Sequence, residues 1–88
     1  MYIVRFSNDA QRDVALLRQK APQAFKKFLK LVAELEEHPR TGTGQVEQLK
    51  YFKNETWSRR ITREHRLVYE IHDDQVLVIV VSSFGHYV

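Results

Sequence analysis

Residues 57–69 constrain the fold more than any other part of the chain, because their alternating apolar residues predict two antiparallel strands joined by a tight turn. If Arg60 lies opposite Arg66, Trp57 lies opposite Tyr69, and the apolar side chains collect on one face of the hairpin. A shift of one residue would mix those apolar residues with charged partners. We therefore predict this register, with the apolar face directed towards the core.

The chain before this hairpin carries helical patterns. Residues 7–9, Ser-Asn-Asp, supply N-cap chemistry for a first helix, and Asn8 and Gln11 have the spacing of a capping box. Pro22 suits the first turn of a second helix, in which apolar residues recur at helical spacing. Lys30 and Glu34 form an i,i+4 pair on the charged face of that helix, which we expect to be solvated. The predicted elements are a strand at 2–6, helices at 8–21 and 22–37, and strands at 56–62, 65–72 and 75–82.

This order, β-α-α-β-β-β, predicts an α+β fold in which an N-terminal helical hairpin packs on one face of a small antiparallel β-sheet. We expect residues 1–88 to form a single domain, since no linker or repeat divides them and the length is near the lower end for an autonomous core. The continuous apolar run at 76–81 predicts a central strand that is buried on both faces.

Composition excludes several classes of protein. The chain has no cysteine, so neither a disulfide framework nor a thiolate metal site is available. It also has no histidine pair at helical spacing and no glycine-rich nucleotide motif, so we expect neither a metal nor a cofactor. No signal peptide is visible and no apolar run could span a membrane, which predicts a cytoplasmic protein without membrane contact.

The polar face of the predicted hairpin concentrates positive charge in a chain whose net charge is +3. Arg60 and Arg66 share this face with Ser58 and Glu70, and like charges directly opposite each other are unfavourable by a few tenths to about 1 kcal/mol. Each arginine could be paired with an acidic neighbour, but an anionic ligand such as a phosphate explains both together. Arg59 falls on the core side, where we expect it at the rim or paired with an acid.

The chain also contains the groups that a ribonuclease without a metal requires. Such an enzyme removes a proton from the ribose 2′-hydroxyl, stabilises negative charge on the phosphorus centre and protonates the leaving 5′-oxygen. The candidates are Glu47 as general base, Lys50, Arg60 and Arg66 as cations, His86 as acid or base, and Tyr87 as a residue that holds His86 or stacks on a nucleobase. Alone, these residues predict no more than a small basic domain that binds phosphate.

Three segments resemble a known family. Residues 57–62, residues 64–69 and the closing pair His86 and Tyr87 are similar to the signature of the YoeB/Txe toxins, which belong to the RelE/ParE superfamily of bacterial type II toxin–antitoxin systems. The resemblance covers essentially the whole chain, including the two helices and the glycine-containing loop after them. It implies a RelE-like fold and a ribosome-dependent mRNA interferase that cleaves mRNA in the ribosomal A site.

The resemblance also implies a role for each candidate residue. By similarity to the family, Glu47 is the general base, His86 is the general acid, Arg66 stabilises the scissile phosphate, Arg60 and Lys50 contact flanking phosphates, and Tyr87 helps to shape the site. The implied partners are a cognate antitoxin of the YefM/Axe type, the ribosome with its mRNA, and operator DNA only as the toxin–antitoxin complex. A homodimer is left open.

Three other functions stay open on sequence alone. The first is a ParE-like toxin of the same fold that inhibits gyrase, although such a protein needs no acid and base. The second is a catalytically inactive toxin-fold binding module that acts with its antitoxin on operator DNA. The third is a plain RNA-binding domain, whose affinity would fall steeply with salt while RNA stayed intact.

Overall fold

The computed structural model describes residues 1–82, and within them the predicted α+β fold is confirmed. Two helices follow the first strand and pack on one face of a five-stranded sheet. The helices are α1 (Asn8–Lys20) and α2 (Pro22–Glu37), and the strands are β1 (Ile3–Phe6), β2 (Glu47–Leu49), β3 (Thr56–Arg60), β4 (Arg66–His72) and β5 (Leu77–Ser82). Neither helix in this part of the chain has the length and apolar character needed to cross a membrane.

The sheet is mixed, whereas the sequence predicted an antiparallel one. Its strands lie in the order β1-β5-β4-β3-β2, and β1 pairs in parallel with β5 while every other pair is antiparallel. The parallel pair arises because the chain leaves β1 for the helices, enters the sheet again at the opposite edge with β2, and returns strand by strand until β5 lies beside β1. Alternation of apolar residues within a strand carries no information about such a non-local partner.

Strand β2 was absent from the sequence prediction, which treated its residues as part of a loop. It has only three residues and no apolar alternation, so its pattern resembles that of a loop. It forms because its backbone pairs with β3 at the edge of the sheet. This short strand begins with Glu47, which is one of the predicted site residues.

Both helices begin close to their predicted positions, and one of the predicted N-cap residues caps the first helix. The Oγ atom of Ser7 accepts a hydrogen bond from the backbone N–H of Ala10 at 3.0 Å, so Ser7 is the N-cap and the predicted capping box of Asn8 with Gln11 is wrong. Gln11 instead donates its side-chain amide to a backbone carbonyl at the end of β1. Pro22 stands in the first turn of α2 as predicted.

The hairpin of β3 and β4 has the predicted register. Arg60 pairs with Arg66 and Trp57 pairs with Tyr69, and the inner face of the sheet packs on the apolar faces of both helices. Strand β5 is an interior strand, as predicted, but among residues 77–80 the helix-facing Val78 and Val80 are fully buried while Leu77 and Ile79 are half-buried. The opposite face is less covered because both helices lie on the same side of the sheet.

Arg59 is fully buried and paired with an acid rather than lying at the rim. Its Nη1 atom lies 2.8 Å from Oε1 of Glu34, and its Nε donates to the hydroxyl of Tyr69 at 3.1 Å. Its remaining N–H groups donate to the backbone carbonyls of His38 and Thr41. Arg59 thereby fastens the loop that follows α2 to the inner face of the sheet.

Candidate functional site

The outer face of the sheet, which is turned away from the two helices, brings several predicted site residues together. Side chains alternate between the faces along a strand. The register pairs Glu47 of β2 with Ser58 of β3, Ser58 with Val68 of β4, and Arg60 with Arg66. All five side chains therefore belong to the outer face, on three neighbouring strands.

Glu47 and Arg66 line one small pocket on this face. The pocket has a volume of about 200 Å³, and Leu49 and Ser58 complete its lining. This is below the roughly 300–1,000 Å³ of a pocket that encloses a whole drug-sized ligand. The pocket is therefore suited to a single group of a larger molecule, such as one phosphate with its adjoining oxygen atoms.

The two arginines of the outer face carry charge that no carboxylate neutralises within residues 1–82. The Arg66 side chain is half-buried and makes no hydrogen bond or ion pair there, and the Arg60 guanidinium donates only from Nε to the carbonyl of Thr62 at 3.3 Å. The acids that could have paired with them, Glu55 and Glu70, contact other residues. A half-buried guanidinium without a partner favours binding of an anion.

Glu47 is exposed, and its carboxylate makes no hydrogen bond or ion pair with other residues of the described part of the chain. It is therefore available as a proton acceptor. An unpaired carboxylate and an unpaired guanidinium on the walls of one pocket can serve a proton transfer beside a stabilised anion. The sequence prediction that Glu47 and Arg66 act together is compatible with this arrangement.

The remaining predicted site residues are less closely tied to this pocket. Lys50 directly follows β2 and is exposed, and it does not line the pocket. Arg60 neighbours the pocket through its pairing with Arg66. His86 and Tyr87 lie outside the residues that the structure describes.

The loop before β2 is held in place from both sides, which fixes where Glu47 enters the sheet. The backbone N–H of Thr43 donates to Oε1 of Glu34 at 2.8 Å, and the N–H of Arg60 donates to the carbonyl of Gly44 at 2.6 Å. Gly44 has φ +96°, and a Cβ there would lie 3.0 Å from the carbonyl oxygen of Arg60. Glycine is required because a side chain would both strain the backbone and press on β3.

Glu34 is a residue whose role the sequence did not reveal. Its spacing from Lys30 indicated a solvated surface pair, but its carboxylate accepts from Arg59 and Thr43 instead. The Thr43 N–H, supported by Arg59, holds the pKa of Glu34 below its ordinary value, although burial opposes the shift. The sequence did contain one signal: Arg59 was predicted on the core side of β3, where it needs an acidic partner. The helices cover that side, so the acid had to come from one of them.

A second ionic cluster joins the chain after α2 to the far end of β4. Arg40 binds Glu55 at 2.8 Å and Asp73 at 2.7 Å, while Tyr2 donates its hydroxyl to Asp73 at 2.6 Å. Trp57 adds a hydrogen bond from its indole N–H to Glu55 at 2.7 Å. Arg40 lowers the pKa of Glu55, and Tyr2 and Arg40 lower that of Asp73. These contacts stabilise the fold, and none of them involves the outer-face pocket.

A larger pocket of about 420 Å³ lies along α2, where Lys26, Lys27 and Lys30 are among its lining residues. The carboxylate in the lining of this pocket is that of Glu34, which already accepts hydrogen bonds from Thr43 and Arg59. This pocket can attract an anion but supplies no available base. The outer-face pocket is therefore the better candidate for catalysis.

Comparison with known proteins gives a family match over almost the whole chain. A family model described as "YoeB-like toxin of bacterial type II toxin-antitoxin system" matches residues 6–87. The protein "Toxin YoeB" of Escherichia coli strain K12 is 36% identical over 73 residues, which is 83% of this chain and 87% of that protein.

Solved structures show the same similarity. A structure described as "YoeB/ParE toxin from Agrobacterium tumefaciens" has a TM-score of 0.88 at 28% identity, and the match covers 99% of this chain and 100% of that one. The Staphylococcus aureus protein is 31% identical. Its "YoeB dimer" matches with TM-score 0.83 over 98% of both chains, and its "YoeB-YefM complex" with 0.81 over 99% of both.

Proposed function

The chain belongs to the YoeB-like toxin family of bacterial type II toxin–antitoxin systems, and we propose that it is an endoribonuclease that cuts mRNA in the A site of the ribosome. In the proposed reaction, the 2′-hydroxyl of one nucleotide attacks the adjacent phosphorus. Cleavage of mRNA during translation is then the means by which this toxin stops protein synthesis.

The proposal rests on one observation: a candidate general base and a candidate cation line the same outer-face pocket. Glu47 and Arg66 line the same space, and within residues 1–82 neither is neutralised. Glu47 takes the proton of the 2′-hydroxyl, so that the 2′-oxygen forms a bond to phosphorus. Arg66 stabilises the additional negative charge as the bond from phosphorus to the 5′-oxygen breaks. The products are a 2′,3′-cyclic phosphate and a 5′-hydroxyl.

The leaving 5′-oxygen needs a proton, and we assign that step to His86. Tyr87 beside it shapes the site or stacks on a nucleobase, while Arg60 and Lys50 bind the flanking phosphates. Arg60 is suited to this role because it lies opposite Arg66 and has no acid partner in the described part of the chain. Side chains fill every proposed role, so the proposed reaction uses neither a metal ion nor a cofactor.

We propose a YefM-like antitoxin as the partner that neutralises the toxin in the resting cell. The similar Staphylococcus aureus toxin forms such a complex, and the half-buried arginines of the outer face, which no acid pairs within residues 1–82, favour a partner with acidic groups. Operator DNA is bound only by the toxin–antitoxin complex in this proposal. A dimer of this chain is supported by the dimer of the same relative.

A translating extract programmed with a defined mRNA tests the activity. We expect the wild type to cut the mRNA only while ribosomes translate it, and to leave a 2′,3′-cyclic phosphate on the upstream fragment. His86→Gln should cut about 10²- to 10⁴-fold more slowly, as expected when a proton-transfer group is lost. Robust cleavage by His86→Gln would remove His86 from the mechanism, and intact mRNA with the wild type would remove the activity.

The competing functions give different results in the same preparation. A gyrase inhibitor would leave the mRNA intact but block DNA supercoiling by purified gyrase. A plain RNA-binding domain would retain RNA in a salt-sensitive manner without cutting it. An inactive binding module would neither cut the mRNA nor inhibit gyrase, and Glu47→Ala would leave its phenotype unchanged.

A further inference from the structure

Ser58 is an unusual residue in the middle of β3. Its side chain is 1% exposed, yet its hydroxyl has no hydrogen-bond partner, which is true of no other buried side-chain polar atom within the described residues. Buried polar groups in proteins are nearly always hydrogen-bonded, and an unsatisfied one costs about 1–3 kcal/mol. Thr56, the next residue on the same face, is equally buried and follows this rule, because its hydroxyl donates to the carbonyl of Asn54 at 2.9 Å.

The position of Ser58 suggests which group its hydroxyl is able to reach. Ser58 lies directly across from Glu47 in the antiparallel pairing of β2 with β3, and both residues line the outer-face pocket. Side chains at directly opposed positions have Cβ atoms about 4.5–5.5 Å apart. At that spacing, rotation of the Ser58 hydroxyl and of the Glu47 side chain brings oxygen to oxygen within hydrogen-bonding distance. Neither group has another partner in residues 1–82.

We propose that Ser58 is a positioning residue for Glu47, and that its hydroxyl donates a hydrogen bond to the Glu47 carboxylate when mRNA occupies the pocket. This inference rests on the proposed ribonuclease function. The bond turns one carboxylate oxygen towards Ser58 and leaves the other directed at the 2′-hydroxyl. It also favours the ionised form of Glu47, which is the form that accepts a proton.

Three other charged groups lie near this site. Arg66 lines the pocket with Glu47, Arg60 is the next outer-face residue after Ser58 on β3, and Lys50 directly follows β2. All three remain in place when only Ser58 is changed. A displaced pH profile in a Ser58 variant would therefore report the loss of its hydroxyl.

The test compares the pH dependence of single-turnover mRNA cleavage on programmed ribosomes for the wild type, Ser58→Ala, Ser58→Thr and Thr56→Val. We expect Ser58→Ala to lower the rate at saturation by about 10- to 100-fold, with half-saturation changed less than about threefold. The acid limb of its profile should move to higher pH. Ser58→Thr keeps a hydroxyl and should restore both properties, while Thr56→Val removes a satisfied buried hydroxyl and should leave the profile in place.

Thermal unfolding separates positioning from a structural role. Because the hydroxyl of Ser58 has no partner, Ser58→Ala should fold and melt at or above the wild-type temperature, whereas Thr56→Val should melt lower. If Ser58→Ala needs a higher concentration of programmed ribosomes for half-saturation while the acid limb of its pH profile stays in place, the proposal is overturned. Ser58 would then contact the substrate instead. Wild-type kinetics in Ser58→Ala would also overturn it. Absence of cleavage by the wild type would overturn the proposed function itself, and this result is distinct from the two Ser58→Ala results that would overturn only the positioning role.

Discussion

Replacing Arg59 by methionine should be the most damaging single change in the described part of the chain. The side chain is fully buried, and its guanidinium binds Glu34, the hydroxyl of Tyr69 and the carbonyls of His38 and Thr41. Methionine fills a similar volume but satisfies none of these groups. The change leaves the Glu34 carboxylate and two backbone carbonyls without their donor at about 1–3 kcal/mol each, so the total cost is about 3–5 kcal/mol.

This cost is large compared with the stability of a domain of this size. At about 0.05–0.15 kcal/mol per residue, a chain of 88 residues is stable by roughly 4–13 kcal/mol. Urea unfolding followed by circular dichroism measures the difference directly. With a slope of about 1 kcal/mol per molar urea, the midpoint of Arg59→Met should fall by roughly 3–5 M, or the variant should be unfolded in buffer.

Two controls identify the cause. Glu34→Gln keeps an oxygen that accepts from Thr43 and Arg59, and the Glu34 side chain is 33% exposed, so this variant should lose only about 1 kcal/mol. Arg63→Met removes an exposed cation and should stay within about 0.5 kcal/mol of the wild type. If Arg59→Met also stays within 1 kcal/mol, the guanidinium does not hold the loop and the argument fails.

Three further changes probe the loop, the ionic cluster and the site. Gly42→Ala should lower the free energy of unfolding by about 1–3 kcal/mol in urea titrations, because Gly42 has φ +125° and a methyl group would press on Glu34; unchanged stability would refute this. Arg40 lowers the pKa of Glu55, so the stability that this pair contributes is present above about pH 4.5 and is lost as the pH falls below it. In acid unfolding curves, Arg40→Met should therefore lose less stability over this pH range than the wild type, and an identical loss would refute the assignment. Arg66→Lys should fold normally but cleave mRNA about 10²-fold more slowly, because an ammonium cannot form two parallel hydrogen bonds to a phosphate; wild-type rates would contradict this.

The hairpin register could be predicted because both of its strands have one apolar face, and pairing in the wrong register would place apolar residues in water. The parallel pairing of β1 with β5 could not be predicted, since each strand is apolar enough to pair with several neighbours. Strand β2 was missed because its three residues carry no alternation. It exists through its backbone bonds to β3 and through the loop that Arg59 fastens.

The candidate site was accessible to sequence reasoning only in part. Glu47 and Arg66 were predicted to act together, and the structure places both in the lining of one pocket, while their roles stay a prediction. The partner of Arg59 was not identified, because Glu34 lies on a helix face whose other charges are solvated. Ser58 was placed correctly on the polar face of the hairpin but was given no role, since its burial and its missing partner within residues 1–82 are not visible in the sequence.

The most direct test of this account is the single-turnover rate at which Glu47→Gln cleaves ribosome-bound mRNA, compared with Glu64→Gln. Both changes remove one negative charge from an exposed glutamate, but only Glu47 lines the outer-face pocket with Arg66. We expect Glu47→Gln to be slower than the wild type by at least about 100-fold and Glu64→Gln to match the wild type. Equal rates for the two variants would show that the pocket between Glu47 and Arg66 is not the place where RNA is cut.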